Sequence, residues 1–229
     1  MLEGVRAHEV SPAFVGRESE LSTLADACER ARGGTPGAVL LGAEAGGGKT
    51  RLIGEFAGRV GDDVLVLIGG CLELSTAGFP YAPFTAALRQ LVREAGAAEI
   101  AALMPRGGAR DLARLLPEFG EPPVDRDPDS ARVRLFEQML ALLERLADRR
   151  PLVMVIEDAH WADHSTRDML SFLFSRPFAE PVALVISYRG EDLHRRHPLR
   201  SQVAEWSRVR GVERLQLNPL SADRGKVFG

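Results

Sequence analysis

The chain has 229 residues, within the range of one α/β domain, and its 45% hydrophobic content can supply a sizeable core. Its 29 basic and 32 acidic residues leave a net charge of −3, which excludes the global positive field that draws a chain to nucleic acid or anionic membrane. Cys28 and Cys71 are the only cysteines and have no metal-ligand spacing, so a disulfide framework and a structural zinc site are excluded and a reducing, cytoplasmic setting is expected.

The first 14 residues lack the apolar stretch of a signal peptide, and no later run approaches the roughly 20 apolar residues that cross a bilayer. Residues 1–13 read as a flexible arm. Leu21, Leu24, Ala25 and Cys28 then form a helical stripe that stops at Gly33-Gly34. Ala38 to Leu41 is a short apolar strand running into glycines, and after Lys49-Thr50 the spacing of Leu52, Ile53, Phe56, Ala57 and Val60 is helical again. Val64 to Ile68 reads as a second buried strand, followed by an interrupted helical region to Leu116 and a proline-rich surface loop over 117–128. Val133, Phe136, Leu140, Leu143 and Ala147 mark a long amphipathic helix ending before Pro151.

Leu152 to Ile156 is a third strand, ending in Glu157-Asp158, and Ser165 to Asp168 has capping-box spacing ahead of a helix through Phe174. Val182 to Ile186 is a fourth strand, 195–209 reads as a helix with Pro198 near its start, and Val212 to Leu217 alternates as a fifth strand. Apolar, β-branched strands alternating with helices predict a parallel sheet covered on both faces.

The segment from Ala43 to Thr50 fits the P-loop spacing, with alanine at its first position. Gly46, Gly47 and Gly48 let backbone N–H groups turn toward phosphates, and the following helix presents its positive end. Lys49 would reach the β- and γ-phosphates and the Thr50 hydroxyl would sit on magnesium. Lysine is otherwise found only at Lys226, so its use in this loop is distinctive. A plain Gly-rich loop is the competing reading, but the motif follows a predicted strand and opens a predicted helix. Ala43 requires a position that tolerates a methyl group. These residues, with the adjoining Arg51, are the candidate contacts for ATP.

Glu157 and Asp158 stand at a strand's carboxyl end, where parallel sheets place ligand groups. One carboxylate can join a magnesium shell while the other orients or deprotonates water; a solvated acidic pair is the simpler alternative. Arg189 ends the fourth strand, so the same edge can bring its guanidinium toward the γ-phosphate, against the alternative of a solvated arginine. His160 and His164 are four apart but flank a loop rather than sharing a helix face, which disfavours a transition-metal site. Cys71 has no histidine near it in sequence to form a catalytic pair.

In combination these residues resemble the N-terminal ATPase domain of large LuxR-type transcriptional regulators, within the STAND class of P-loop ATPases, which are AAA-like. The resemblance runs from Phe14-Val15-Gly16-Arg17-Glu18 through Gly48-Lys49-Thr50-Arg51-Leu52 and Pro80-Tyr81-Ala82-Pro83-Phe84. It continues through Ile156-Glu157-Asp158-Ala159-His160-Trp161-Ala162-Asp163, Tyr188-Arg189 and Arg196-His197-Pro198-Leu199. It implies a three-layer α/β/α P-loop NTPase over residues 14–220 with a mainly parallel five-stranded sheet, ATP and Mg2+ as cofactors, and Val15 and Gly16 near the adenine. It also implies Glu157 as the metal-shell acid, Asp158 as the catalytic base and Arg189 as a phosphate sensor, although the family often has aspartate where Glu157 stands. Family members continue into a lid and winged-helix region, helical repeats and a helix-turn-helix, so 221–229 read as the start of that lid region. Expected partners are ATP or ADP, the regulatory domains of a parent protein and further copies of the chain. No direct nucleic-acid contact and no membrane contact is expected from these residues.

Overall fold

A computed structural model describes residues 16–35, 37–73, 79–105 and 107–219. Val15, the N-terminal arm and the 221–229 piece lie outside the described residues. Five strands form one sheet in the order β2-β3-β4-β1-β5. They are β1 (Gly37–Ala43), β2 (Leu65–Gly70), β3 (Leu152–Glu157), β4 (Val182–Arg189) and β5 (Val212–Leu217), and every neighbouring pair is parallel.

Helix α1 (Glu18–Arg32) and α2 (Lys49–Val60) cover one face. Their Leu21, Leu24, Leu52, Ile53 and Phe56 pack on Val39, Leu41, Val153 and Val185 of the sheet. The opposite face carries α3 (Ala82–Ala95), α4 (Ala97–Leu103), α5 (Gly108–Leu112), α6 (Pro128–Ala147), α7 (His164–Ser175) and α8 (Pro198–Trp206). The predicted parallel sheet with helices on both faces is therefore the observed architecture.

Handedness explains which helix goes where. The β1-to-β2 crossover runs one way along the sheet, whereas β2 to β3, β3 to β4 and β4 to β5 all run the other way. Right-handed crossovers then require α2 on one face and α3 to α8 on the other. The change of direction opens a crevice at the carboxyl ends of β1 and β4, the place where such sheets receive ligands.

Several local readings shift. β2 begins and ends later than Val64 to Ile68, and as an edge strand it is buried on alternate residues rather than throughout. Its outer backbone groups are met by Gln90, whose Nε2 donates to the Val66 carbonyl at 3.2 Å and whose Oε1 accepts from the Ile68 N–H at 3.4 Å. The cap of α7 is Asp163, which accepts from the Thr166 N–H at 3.1 Å, not Ser165 as the capping-box spacing predicts. Asp127 caps α6 in the same way, with Pro128 in its first turn. The 117–128 loop is pinned as well as solvated: Phe119 is buried, and Asp125 pairs with both Arg114 and Arg134. The predicted 195–209 helix is limited to α8, because Pro198 can sit only in its first turn.

Candidate functional site

The loop between β1 and α2 is set by three glycines. Gly46 and Gly48 have φ of +70° and +84°, where a side chain is strained, and a Cβ on Gly47 would lie 2.9 Å from that of Ala43. Ala43 itself has no positive φ, so its methyl group costs nothing in backbone strain, and it is fully buried. Gly47 N–H closes the turn on the Glu44 carbonyl at 3.1 Å.

Lys49 opens α2 and is buried to 8% exposure, a costly position for an ammonium without a counter-charge. Asp158 supplies one, its Oδ1 lying 3.7 Å from the Lys49 Nζ. Thr50 follows, exposed in the first turn of the helix, and Arg51 is half-buried one residue on.

Asp158 is one of two non-glycine residues with positive φ among the described residues, at φ 52° and ψ 45°. Aspartate tolerates this conformation better than most residues, and such outliers gather at functional sites. Here it turns the chain sharply out of β3 into a one-turn helix over Ala159–Trp161. The Asp158 N–H is taken by the Ser187 hydroxyl of β4 at 3.1 Å. Glu157, still in β3, has its carbonyl bound by the Cys71 N–H at 2.9 Å. Its carboxylate oxygen Oε1 is buried without a hydrogen-bond partner among the described residues. An orphaned, buried carboxylate oxygen beside a P-loop fits the oxygen-donor shell of a magnesium ion, as does the Thr50 hydroxyl.

Arg189 is brought beside the P-loop by strand register: it stands opposite Ala43, and the Gly190 N–H bonds the Ala43 carbonyl at 3.1 Å. The next residue, Glu191, places its carboxylate on the Ala45 N–H at 2.8 Å, so a P-loop donor is held by an anion. Asp192 turns its Oδ2 to within 3.3 Å of His160 Nε2.

Gly16, with φ 81°, lies next to Arg17, which is buried and ties the two ends of the domain together. Its Nη2 donates to the Asn218 carbonyl at 2.6 Å and its Nη1 meets Glu20 at 2.8 Å. Asn218 follows Leu217, the partner of Ala43 in β5, so Gly16 is carried toward the same sheet edge as the P-loop.

The two predicted histidines are separated in environment: the His160 side chain is almost fully buried, while His164 is exposed and pairs with Asp168 at 3.0 Å. Burial holds the His160 imidazole below its usual pKa despite the opposing pull of Asp158 and Asp192. Cys71 is buried, its thiol pushed up to about 12 by desolvation, with Asp163 and Asp158 adding to the effect. That is the environment of an inert thiol.

Sequence reasoning missed Glu191, Asp192 and the joining role of Arg17. Ser187, polar at the end of an otherwise apolar strand, is the one with a readable signal. No helix among the described residues is long and apolar enough to cross a membrane.

The chain is 31% identical over 232 residues to an uncharacterized protein of Rhizobium meliloti (strain 1021). That alignment covers 93% of this chain and 21% of the relative, so the chain spans about a fifth of the relative's length. Among solved structures it is similar to the Aeropyrum pernix ORC1 protein in complex with DNA, at 19% identity and a TM-score of 0.46 over 93% of this chain and 48% of the other. It is also similar to a chain of Drosophila ORC bound to DNA, at 14% identity and a TM-score of 0.45 over 90% and 96%. The sequence profile of the AAA ATPase domain family matches residues 13–186, taking in the P-loop, β3 with its acidic pair and most of β4. With that match over most of its length, the chain belongs to the AAA ATPase domain family.

Proposed function

We propose that this chain is the ATP-binding and ATP-hydrolysing switch domain of a larger regulator of the LuxR type, within the STAND class. The observation that carries the nucleotide reading is Lys49, almost buried at the mouth of a P-loop and balanced by Asp158 at 3.7 Å. A buried lysine in that place is held ready for phosphate oxygens, with the aspartate as its partner until they arrive.

In this reading the amides of Gly46, Gly47 and Gly48 cradle the phosphates, Lys49 meets the β- and γ-oxygens, and Arg51 and Ala43 flank the cradle. Val15 and Gly16 border the adenine. Bound magnesium would neutralise charge developing on the β- and γ-oxygens, with Thr50 and Glu157 as its protein contacts. Asp158, freed from Lys49 by the arriving phosphates, orients the attacking water and takes its proton. Arg189 responds to the γ-phosphate. Residues 14–220 form the ATPase domain, and 221–229 begin the lid region of the parent. The relative that this chain matches over a fifth of its length supports a place in a longer architecture. ATP and ADP, the parent's regulatory domains and further copies of the chain are its proposed partners.

Titration calorimetry of magnesium-ATP tests the assignment. Binding to the wild-type chain and loss of at least about tenfold in affinity in Lys49→Ala are expected, since removing a charge-assisted contact costs about 1.5–3 kcal/mol. In Asp158→Asn, phosphate release should fall far more than binding; full turnover in that variant removes the residue from its role. Binding without turnover is the second reading, favoured by the hold of Lys49 on Asp158, and wild-type affinity without phosphate release selects it.

A further inference from the structure

We infer that His160 is a positioning residue for Arg189, a neutral imidazole that bridges the split between β3 and β4 and holds the arginine where it can tell ATP from ADP. This rests on the nucleotide reading above and on Arg189 as its phosphate sensor.

The split is visible in the register. Pairing of β3 with β4 ends at Ile156 opposite Ile186, whereas β4 stays paired with β1 as far as Arg189 opposite Ala43. Beyond Ile186 the two strands part, and the P-loop crevice lies at their ends. Two polar side chains span the gap among the described residues. Ser187 accepts the Asp158 N–H at 3.1 Å, and His160 Nδ1 accepts the Arg189 N–H at 3.4 Å. Without the second bridge the Arg189 backbone is bonded only across to β1, and its tie to the end of β3 rests on Ser187 two residues earlier.

The ring can do this only in one state. An Nδ1 that accepts a hydrogen bond carries no proton, so the neutral ring carries it on Nε2. Nε2 lies 3.3 Å from Asp192 Oδ2. The two atoms are buried, out of line for a good hydrogen bond, and have no other partner among the described residues. Apo-state contacts of this kind commonly tighten when ligand closes a site. The His197 ring, which acts on the His160 backbone, caps α8, its Nδ1 accepting the Leu199 N–H at 3.2 Å. The bridge thus lies beside the N-cap of α8. Its far arm reaches the turn that also carries Glu191 to the P-loop amide.

Two substitutions separate the arms of the ring. His160→Asn sets a carbonyl oxygen near the Nδ1 position and keeps the acceptor for Arg189. His160→Gln reaches toward Asp192 instead and leaves the Arg189 N–H without one. Affinities of magnesium-ATP and magnesium-ADP are measured for the full chain and for Arg189→Ala, His160→Gln, His160→Asn and Asp192→Ala. Arg189→Ala should cut the preference for ATP over ADP about tenfold, the value of one charge-assisted contact, and His160→Gln should follow it with ADP affinity within about twofold of wild type. His160→Asn should keep most of the preference, and His160→Gln combined with Arg189→Ala should fall no further than Arg189→Ala alone.

Wild-type preference in His160→Gln, or equal loss of ATP and ADP binding, overturns the inference. Should His160→Gln fail to fold, His160→Leu, which likewise offers the Arg189 N–H no acceptor, decides instead: a reduced preference supports the inference and an unchanged one overturns it, while Asp192→Ala, which like His160→Asn loses only the far arm, should keep most of the preference. Absence of nucleotide binding in the wild type, or an unchanged preference in Arg189→Ala, marks failure of the functional reading itself and takes this inference with it.

Discussion

At the scale of single residues, the phosphate cradle is balanced by the protein's own anions. Asp158 faces Lys49, which is expected to meet phosphate, and Glu191 sits on the amide of Ala45 next to the three cradle glycines, so the loop already carries two carboxylates. An arriving nucleotide competes with the first and is repelled by the second. Glu191 is exposed and its bond is to a neutral donor, so its removal should relieve competition and like-charge repulsion without harm to the core. Glu191→Ala should therefore bind magnesium-ATP about threefold to fivefold more tightly, the equivalent of one net hydrogen bond of about 0.5–1 kcal/mol. Titration at low and at physiological salt checks this; unchanged or weaker affinity would mean that the carboxylate does not compete. The P-loop residues were legible in the sequence because their spacing is fixed by one short turn. Glu191 was not, because its partner lies 146 residues away and only the pairing of β1 with β4 brings them together.

At the scale of elements, the sequence pattern located strands better than helix starts. β1, β3 and β4 are central, buried on both faces, and so appear as continuous apolar runs. β2 sits at an edge, alternates in burial and ends with glycines, which blurred its limits. Gly69 shows why glycine is needed there: a Cβ would come within 2.0 Å of the Pro83 carbonyl oxygen, since α3 lies directly on that strand. The α7 start was misplaced because the segment Asp163 to Asp168 offers two overlapping caps. The helix uses the earlier one, which lets Asp163 take the Thr166 amide while Thr166 is fully buried. Asp163→Ala should cost about 1 kcal/mol of folding stability, within the usual 0.5–2 kcal/mol for a lost cap, while Ser165→Ala should cost clearly less. Urea denaturation of the two variants distinguishes them, and the reverse order would restore the capping box as the true start.

At the scale of the whole molecule, stability is linked to pH through the buried His160 and the half-buried His197. The folded-state pKa values of His160 and His197 are both lowered, chiefly by desolvation, from an unfolded value near 6.5. The unfolded chain therefore binds protons that the folded chain refuses. The stability these neutral rings contribute is present in full above the unfolded value and is lost as pH falls through the lowered folded value. Denaturation midpoints should drop between pH 8 and pH 5.5, and the drop should be smaller in His160→Asn, which has nothing to protonate there; an equal drop would assign it to other groups. The sequence alone determined the class of fold, the P-loop and the succession of strands and helices along the chain, because hydrophobic periodicity and glycine placement are local properties of the chain. Only the tertiary structure decided that β4 lies between β1 and β3, that Arg17 joins the two ends of the domain, and that the His160 ring meets the Arg189 N–H. Those contacts depend on strand order and crossover hand, which arise when distant segments pack and leave no mark in the spacing of neighbouring residues.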